Sequence, residues 1–369
     1  MDQRYLGRAL ELAKEAWGET HHNPMVGAVI VEGNEIVSEG YHAQAGDRHA
    51  EIVALENLGR PPRSDAVLYV TLEPCSTSGR TGSCVEAIIE ANFRRVMVGT
   101  RDPNPVHAGR GLDKLREAGI EVSKIEGPLA DDCLELNFIF NYQIVHNQPL
   151  FALKLAVTKD GKIAEQHGKP SVITGKEARA DVMRWRRLFP AIAIGSGTVL
   201  SDNPSLTARL PSGDWCPRRI ILDGKLSSVP EKGILPKVYS DNFSKSTLVV
   251  TDEASSDTDL RRVRLIDEGV TIRELPLDSR GSFSYSNLRD ILAHEDLTGV
   301  YFEGGAKVAH QMLREKALDY LFWYQSPKTF SNADAVKVPP LTDFPLPEKV
   351  QSTKLGEDSL IRGFLNFSN

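Results

Sequence analysis

Arg48-His49-Ala50-Glu51, then Thr71-Leu72-Glu73-Pro74-Cys75, then Ser83-Cys84: the reading of these three short stretches decides how the first part of the chain folds. One imidazole and two thiolates are good zinc ligands, and a carboxylate stands two positions after the imidazole. Zinc held by three protein groups keeps a position open for water, whose pKa then falls to roughly 7. His49 and Glu51 would lie about 200° apart on a helix, so they converge only in a first turn, with the metal off the helix end. Gly46-Asp47-Arg48 suits such a start. Cys84 reads as the opening residue of its own helix, where the macrodipole favours a thiolate. Cys75 follows the apolar run Ala66-Val67-Leu68-Tyr69-Val70-Thr71-Leu72. The eight-residue loop 76–83 carries Gly79 and Gly82 and can fold back to bring both sulfurs to one ion.

The elements around this nucleus alternate. Apolar residues at helical spacing predict a first helix over 3–17. Met25–Val31 and Glu35–His42 flank Glu32-Gly33-Asn34 and read as a hairpin. A helix runs from near His49 to Gly59, then come strand 66–72, helix 84–93, strand 95–100, a helix ending at Gly119 and strand 120–125. Strand–helix alternation implies a three-layer α/β/α sandwich. The segment 130–142 looks helical, and His146-Asn147-Gln148-Pro149 breaks the pattern, placing a boundary between domains 1–146 and 147–369. A second α/β series follows: strand 151–157, helix 176–188, strands 191–195, 219–223, 247–251 and 270–275, a helix near 286–294, strand 299–303, a helix through Leu318 and strand 320–326. The stretch 252–259 reads as a surface connection.

At 369 residues, 41% hydrophobic and 25% charged, the chain has ordinary globular composition, long enough for two cores. Its net charge of −6 argues against a general nucleic-acid binder, although Arg184–Arg187 and Arg218-Arg219 are locally basic. No apolar signal core or membrane span is apparent. Four cysteines in such a chain do not make a disulfide framework; Cys133 and Cys216 read as buried thiols, and the cytoplasm is the expected compartment.

Alone, His-x-Glu is ordinarily a solvated helix start, and two cysteines nine positions apart are ordinarily unrelated. Their order, each at the end of an element, selects the chemical reading. A structural zinc normally closes its sphere with four protein ligands, and no fourth Cys or His stands close in sequence. The order His-x-Glu…Pro-Cys…Cys is the signature of zinc-dependent base deaminases, apart from the wider cysteine spacing. No Gly-x-Gly-x-x-Gly turn with a later acid supports a Rossmann reading of the second half. Instead Gly195-Ser196-Gly197-Thr198 and Gly304-Gly305 follow strands, as phosphate-cradling glycines do.

His21–Val31, Gly40–Glu51, Thr71–Cys84 and Arg101–Leu112 closely resemble the deaminase domain of the bifunctional riboflavin-biosynthesis deaminase/reductase family. Leu153–Ala164, Ile173–Arg186, Ala191–Arg209 and Val300–Gly305 resemble its reductase domain in the same order. The resemblance implies a cytidine-deaminase-like domain followed by a dihydrofolate-reductase-like domain. It implies deamination of 2,5-diamino-6-ribosylamino-4(3H)-pyrimidinone 5′-phosphate, then NADPH reduction of the ribosyl to a ribityl chain. Carried residue by residue, it makes His49, Cys75 and Cys84 the Zn2+ ligands of one ion per chain and Glu51 the proton shuttle. Asn23, His42 and Arg80 fall at pyrimidine-substrate positions, and Arg186, Leu206, Arg209 and Glu303 at reductase-substrate positions. Lys154, Ala156, Val172, Thr198, Asp202 and Gly305 fall at cofactor positions, with Lys154 close to the ribose. A small phosphorylated pyrimidine, no nucleic acid, no membrane and a homo-oligomer are the partners expected.

The chain also departs from the family. Thr77 stands for the usual histidine, Gly82 and Ser83 for two prolines, and Val172 for the tryptophan of Ser-x-Trp-Ile-Thr, aligned here with Pro170-Ser171-Val172-Ile173-Thr174. These last changes leave open an alternative, a deaminase whose second domain has lost reduction and serves binding or dimerisation. A tRNA-type base deaminase shares the zinc motif but not the acidic balance or the large second domain.

Overall fold

The computed structural model describes residues 3–77, 82–211, 213–254, 259–347 and 350–367. The chain divides into two compact units, Met1–Asn147 and Gln148–Asn369. Among the described residues no helix is long and apolar enough to cross a membrane.

In the first unit the order is α1 (Gln3–Glu15), β1 (Gly27–Glu32), β2 (Glu35–Tyr41), α2 (Ala50–Leu58), β3 (Val67–Leu72), α3 (Cys84–Glu90), β4 (Arg95–Thr100), α4 (Arg110–Glu117), β5 (Glu121–Lys124), α5 (Pro128–Leu136) and α6 (Phe138–His146). The sheet runs β2-β1-β3-β4-β5. β1 is antiparallel to both neighbours, whereas β3, β4 and β5 are parallel. Alternation of side chains across the sheet sorts the core into two faces. Ala28, Ile30, Leu68, Val70, Val96 and Val98 pack on α2, α3 and α4 through Ala50, Ala54, Val85, Ile88, Leu112 and Leu115. The opposite face takes α1 and α5. A Cβ at Gly27 would fall 1.9 Å from the Ala9 carbonyl oxygen, and one at Gly99 would fall 2.8 Å from the Cys133 sulfur. These are the three layers expected from the sequence.

The single helix expected over 130–142 is two helices, broken at Asn137. Its buried amide accepts from the Met25 N–H (2.8 Å) and donates to the Met25 carbonyl (2.9 Å), pairing with the backbone that enters β1. The first helix stops at Glu15, short of 17, before Gly18 turns the chain at φ +73°.

The second unit contains β6 (Leu150–Val157), β7 (Lys162–Ala164), α7 (Lys176–Leu188), β8 (Ala191–Gly195), α8 (Ser196–Asp202), β9 (Ala208–Leu210), β10 (Gly213–Trp215), β11 (Arg218–Leu222), α9 (Lys237–Ser240), β12 (Thr247–Thr251), α10 (Leu260–Asp267) and β13 (Thr271–Glu274). It continues with α11 (Tyr285–His294), β14 (Gly299–Phe302), α12 (Ala306–Arg314), β15 (Tyr320–Gln325), β16 (Val336–Lys337), β17 (Gln351–Leu355) and β18 (Asp358–Phe364). A nine-stranded sheet runs β13-β12-β11-β8-β14-β6-β15-β18-β17. It is parallel from β13 to β15 and antiparallel at β18 and β17. The parallel strands are near-continuous apolar runs, as burial on both faces demands, with one core on each side. α12 ends at Arg314 rather than at Leu318. Lys316 takes φ +50° and the Ala317 N–H returns to the Met312 carbonyl at 2.9 Å, so Leu318 leaves the helix to join the core.

The basic clusters are used in packing. Arg219 is fully buried and gives two hydrogen bonds to Asp241, at 2.7 and 2.9 Å. Arg187 stacks over Trp215 at 4.6 Å. Cys133 is buried as expected, but Cys216 is half-buried, in the short link between β10 and β11.

Candidate functional site

Two sites emerge, one in each unit. In the first, His49 is the residue before α2, in extended backbone (φ −69°, ψ 156°), and Glu51 lies in the first turn. Cys84 is the first residue of α3, behind a capping box in which Ser83 and Glu86 satisfy each other's backbone N–H. His49 Nδ1 stands 3.2 Å from Cys84 Sγ and 3.5 Å from Cys75 Sγ, and the Cys84 N–H points to Cys75 Sγ at 3.4 Å. All three ligand atoms lie within 4.8 Å of one another. Cys84 is buried, Cys75 half-buried and His49 exposed, so the cluster opens outward on the imidazole side.

The charges agree with this chemistry. Hydrogen bonding to Cys84 brings the Cys75 thiol down, while the Cys84 thiol is pushed up, first by its bond to Cys75 and then by burial. One thiolate therefore forms readily beside His49, whose own pKa is raised by its bond to Cys75. Glu51 is 3% exposed, and burial raises its carboxyl above the usual range. A carboxyl in that condition can hold a proton as well as accept one.

His42 is buried, at 3% exposure. Its Nδ1 faces the Arg48 carbonyl at 3.1 Å and its Nε2 faces Asn23 Nδ2 at 3.2 Å. Burial lowers its pKa, favouring the neutral ring that donates through Nδ1 and accepts at Nε2. The His42 ring meets the His49 ring edge-on at 5.6 Å, so Asn23 and His42 form a line that ends at the cluster. Arg80, the expected phosphate contact, lies outside the described residues. The Asn137 clamp on Met25, two residues from Asn23, was missed; a polar residue inside an apolar helical run was its signal.

In the second unit a cleft of about 1260 Å³ is lined by every position that sequence reading assigned there. Lys154 and Ala156 come from one face of β6, Arg186 from α7, Thr198 and Asp202 from α8, and Glu303 and Gly305 from the β14–α12 turn. Val172 is 70% exposed at the rim. Leu206 is 2% exposed at φ +56°, a core residue as well as a wall, and Arg209 projects from the β9–β10 hairpin. Arg186 does not reach toward open space. It donates to Glu303 through Nε (2.6 Å) and Nη2 (2.9 Å), and to the Thr207 carbonyl through Nη1 (2.9 Å). Lys154 Nζ stands 4.0 Å from the same carboxylate. Burial would raise the Glu303 carboxyl, but Arg186 and Lys154 outweigh it and bring it down to about 2. Burial lowers the Lys154 ammonium pKa.

The donors fit a phosphate-bearing cofactor. No side chain caps α12 behind Gly305, which leaves its first N–H groups for an anion. A Cβ at Gly195, Gly197 or Gly305 would meet nothing within 4 Å, so that wall faces open space. The loop after β11 also lines the cleft and went unread. There Asp223 is held by the backbone N–H and hydroxyl of Ser227 (2.8 and 2.9 Å) and of Ser228 (both 2.7 Å).

Comparison with known proteins covers both sites. The RibD C-terminal domain matches residues 149–361, and the cytidine and deoxycytidylate deaminase zinc-binding region matches residues 1–100. The riboflavin biosynthesis protein RibD of Aquifex aeolicus is 36% identical over 364 residues, 98% of each chain. The chain belongs to the RibD family. RibD of Bacillus amyloliquefaciens is 38% identical over 327 residues, 89% of this chain and 85% of that one. The crystal structure of a diaminohydroxyphosphoribosylaminopyrimidine deaminase/5-amino-6-(5-phosphoribosylamino)uracil reductase from Thermotoga maritima superposes with a TM-score of 0.78 at 34% identity, covering 98% and 97% of the two chains. Acinetobacter baumannii RibD gives 0.79 at 30% identity, covering 99% of both. Like other members of the RibD family, the chain is a deaminase and reductase of riboflavin biosynthesis that uses Zn2+ and NADPH. A second domain without reductase activity is not favoured, since the likeness runs through both halves.

Proposed function

We propose that the chain deaminates 2,5-diamino-6-ribosylamino-4(3H)-pyrimidinone 5′-phosphate in domain 1–146, and reduces the ribosyl group of the product in domain 147–369. The observation that carries the first step is the convergence of His49 Nδ1 and two sulfurs beside a buried Glu51. A tetrahedral ion with ordinary zinc bond lengths sets its nitrogen and sulfur ligands about 3.5 Å apart; the distances of 3.2 and 3.5 Å fit it. His49, Cys75 and Cys84 would hold the metal.

Bound zinc supplies a Lewis acid that makes water acidic enough to yield its proton near neutral pH. Glu51 takes one proton from the water, holds it because burial favours its neutral form, and gives it to the pyrimidine ring nitrogen as the water oxygen bonds to the amine-bearing carbon. It then carries that oxygen's second proton to the amino group, which leaves as ammonia when the C–N bond breaks. Asn23 orients the pyrimidine, and His42 holds Asn23 through a neutral ring. Arg80 is assigned to the 5′-phosphate.

In the second domain NADPH supplies the hydride. Ala156, Val172, Thr198, Asp202 and Gly305 line the cleft and are assigned to the cofactor. Glu303 stays ionised beside the reacting sugar, Lys154 orients the ribose electrostatically, and Leu206 walls the substrate. Arg209 is assigned to its phosphate, with Arg186, tied to Glu303, adding positive charge behind it. We further assign the enzyme to the cytoplasm as a homo-oligomer.

A coupled assay tests the proposal. Purified chain should contain about one zinc per chain, release ammonia from the pyrimidine phosphate, and oxidise NADPH only after that release. Ammonia release without NADPH oxidation at saturating cofactor would refute the second step. Turnover unaffected by zinc removal would refute the first.

A further inference from the structure

Glu73 follows β3 and stands two residues before Cys75. It is 6% exposed, and its side chain takes three backbone N–H groups from the loop before α4 and the first turn of that helix. Oε2 accepts from Asp102 at 3.2 Å and Gly109 at 2.9 Å, and Oε1 accepts from Gly111 at 3.0 Å. A buried carboxylate is costly unless good donors fill its acceptor positions. Here two donors, Asp102 and Gly109, come from the irregular stretch before α4, and the third, Gly111, from the first turn of α4, whose N–H groups have no partner within the helix.

The loop is shaped for this contact. Gly109 adopts φ +86°, and a Cβ at Gly111 would fall 2.3 Å from the Pro74 carbonyl oxygen and 3.3 Å from Glu73 Oε1. Loop 102–111 therefore rests on the peptide that leads into Cys75. Beyond Cys75, Lys114 Nζ donates to the Ser76 carbonyl at 3.1 Å. The strand does not need the carboxylate to end where it does. β3–β4 pairing already reaches Leu72 and Thr100, and the Glu73 N–H bonds the Thr100 carbonyl at 2.9 Å. What the carboxylate adds is a fixed path for the Pro74-Cys75 turn.

We propose that Glu73 is a positioning residue for the metal. By gripping loop 102–111 it holds the Cys75 sulfur in ligating geometry with His49 and Cys84. The inference rests on the zinc reading of that cluster. Outer partners that orient metal ligands typically change metal affinity by about 10–100-fold when removed.

The test is zinc competition between the full-length enzyme and a chromogenic chelator, with wild type and Glu73→Gln run in parallel. Glutamine keeps the size, but either orientation of its amide sets an NH2 against a backbone N–H. The variant should surrender zinc about 10–100-fold more readily. Circular dichroism and the thermal unfolding of the first unit should match wild type, showing that this unit has folded, and reduction of the deaminated pyrimidine by the second unit should be unchanged. A competition curve superimposed on that of wild type overturns the proposal, whatever happens to deamination. Gly111→Ala keeps the carboxylate but drives a Cβ onto the Pro74 carbonyl. It should weaken zinc in the same direction, and it decides the matter if Glu73→Gln does not fold: wild-type zinc affinity in Gly111→Ala then overturns the proposal. Were the wild-type chain itself to bind no zinc, the reading of the cluster would fall first and this inference with it.

Discussion

Arg186 and Glu303 meet edge to edge through two hydrogen bonds of 2.6 and 2.9 Å, joining α7 to the turn after β14 across 117 positions of sequence. Lys154 approaches the same carboxylate at 4.0 Å. Two cations around one anion leave the cleft floor positive, the field that a phosphorylated sugar and a phosphate-bearing cofactor both need. The pair is mostly buried, at 12% and 14% side-chain exposure, so removing one member strands the other. Arg186→Ala should lower the stability of the second unit by about 3–5 kcal/mol in denaturant titration. It should abolish NADPH oxidation while leaving ammonia release near wild type. A variant as stable as wild type would show that the pair is solvated in solution.

The same carboxylate gives the second unit an acid-sensitive element. Its folded pKa of about 2 lies below the ordinary value of 4.5. Its contribution to stability is therefore complete above about pH 4.5 and is lost as the pH falls toward 2. Stability measured across that window should fall less steeply for Glu303→Gln than for wild type. Equal slopes would assign the acid sensitivity to other carboxylates.

Glu51 and Cys84 separate proton transfer from metal binding. Glu51→Gln keeps the size of a buried side chain that is not one of the assigned ligands. It should retain about one zinc per chain and lose ammonia release by about 100-fold or more. Cys84→Ala removes a ligand and should lose the metal itself. Elemental analysis beside an ammonia assay distinguishes the two. Full turnover in Glu51→Gln would remove that residue from its role, and unchanged zinc in Cys84→Ala would remove that ligand.

The sequence was legible where chemistry and periodicity coincide. His49 and Glu51 can meet only at a helix start, and the structure puts His49 immediately before α2 with Glu51 in its first turn. Lys176–Leu188 carries a full amphipathic pattern and is a helix over those residues. What escaped reading lacked a pattern of its own. β9 and β10 are three-residue strands, and β17 is largely exposed at the sheet edge, so neither shows a sustained apolar alternation. The Arg186–Glu303 pair was equally hidden. Both residues were assigned to the substrate, but nothing local tells an arginine on α7 that its carboxylate lies 117 positions away.

Asn137 shows how a missed residue acts on a site. Its amide satisfies both the N–H and the carbonyl of Met25 in a buried setting, close to Asn23. Asn137→Ala would leave two backbone groups unpaired, at about 1–3 kcal/mol each before any water enters. A loss of about 2 kcal/mol or more in the first unit is expected, with a raised KM for the pyrimidine because the Met25 backbone two residues beyond Asn23 loses its anchor. Zinc content should not change. A loss of zinc equal to the loss of turnover would mean that the clamp supports the whole unit rather than the entry to β1.

Val172 offers the converse experiment, a gain. It lines the cleft rim at 70% exposure, with its carbonyl held by Lys328 Nζ at 3.1 Å, so the backbone there is anchored while the side chain covers little. A broad ring at this position could pack against the cofactor. An aromatic contact of that kind contributes about 0.5–1.5 kcal/mol, a factor of about 2–12 in binding. Val172→Trp should therefore lower the KM for NADPH by several-fold, with little change in the KM for the pyrimidine and none in ammonia release. Because the valine is exposed, the larger side chain displaces solvent rather than core atoms, and the stability of the fold should hold. A KM for NADPH that stays the same or rises would place the 172 side chain away from the cofactor, and Val172 would then leave the set of cofactor contacts.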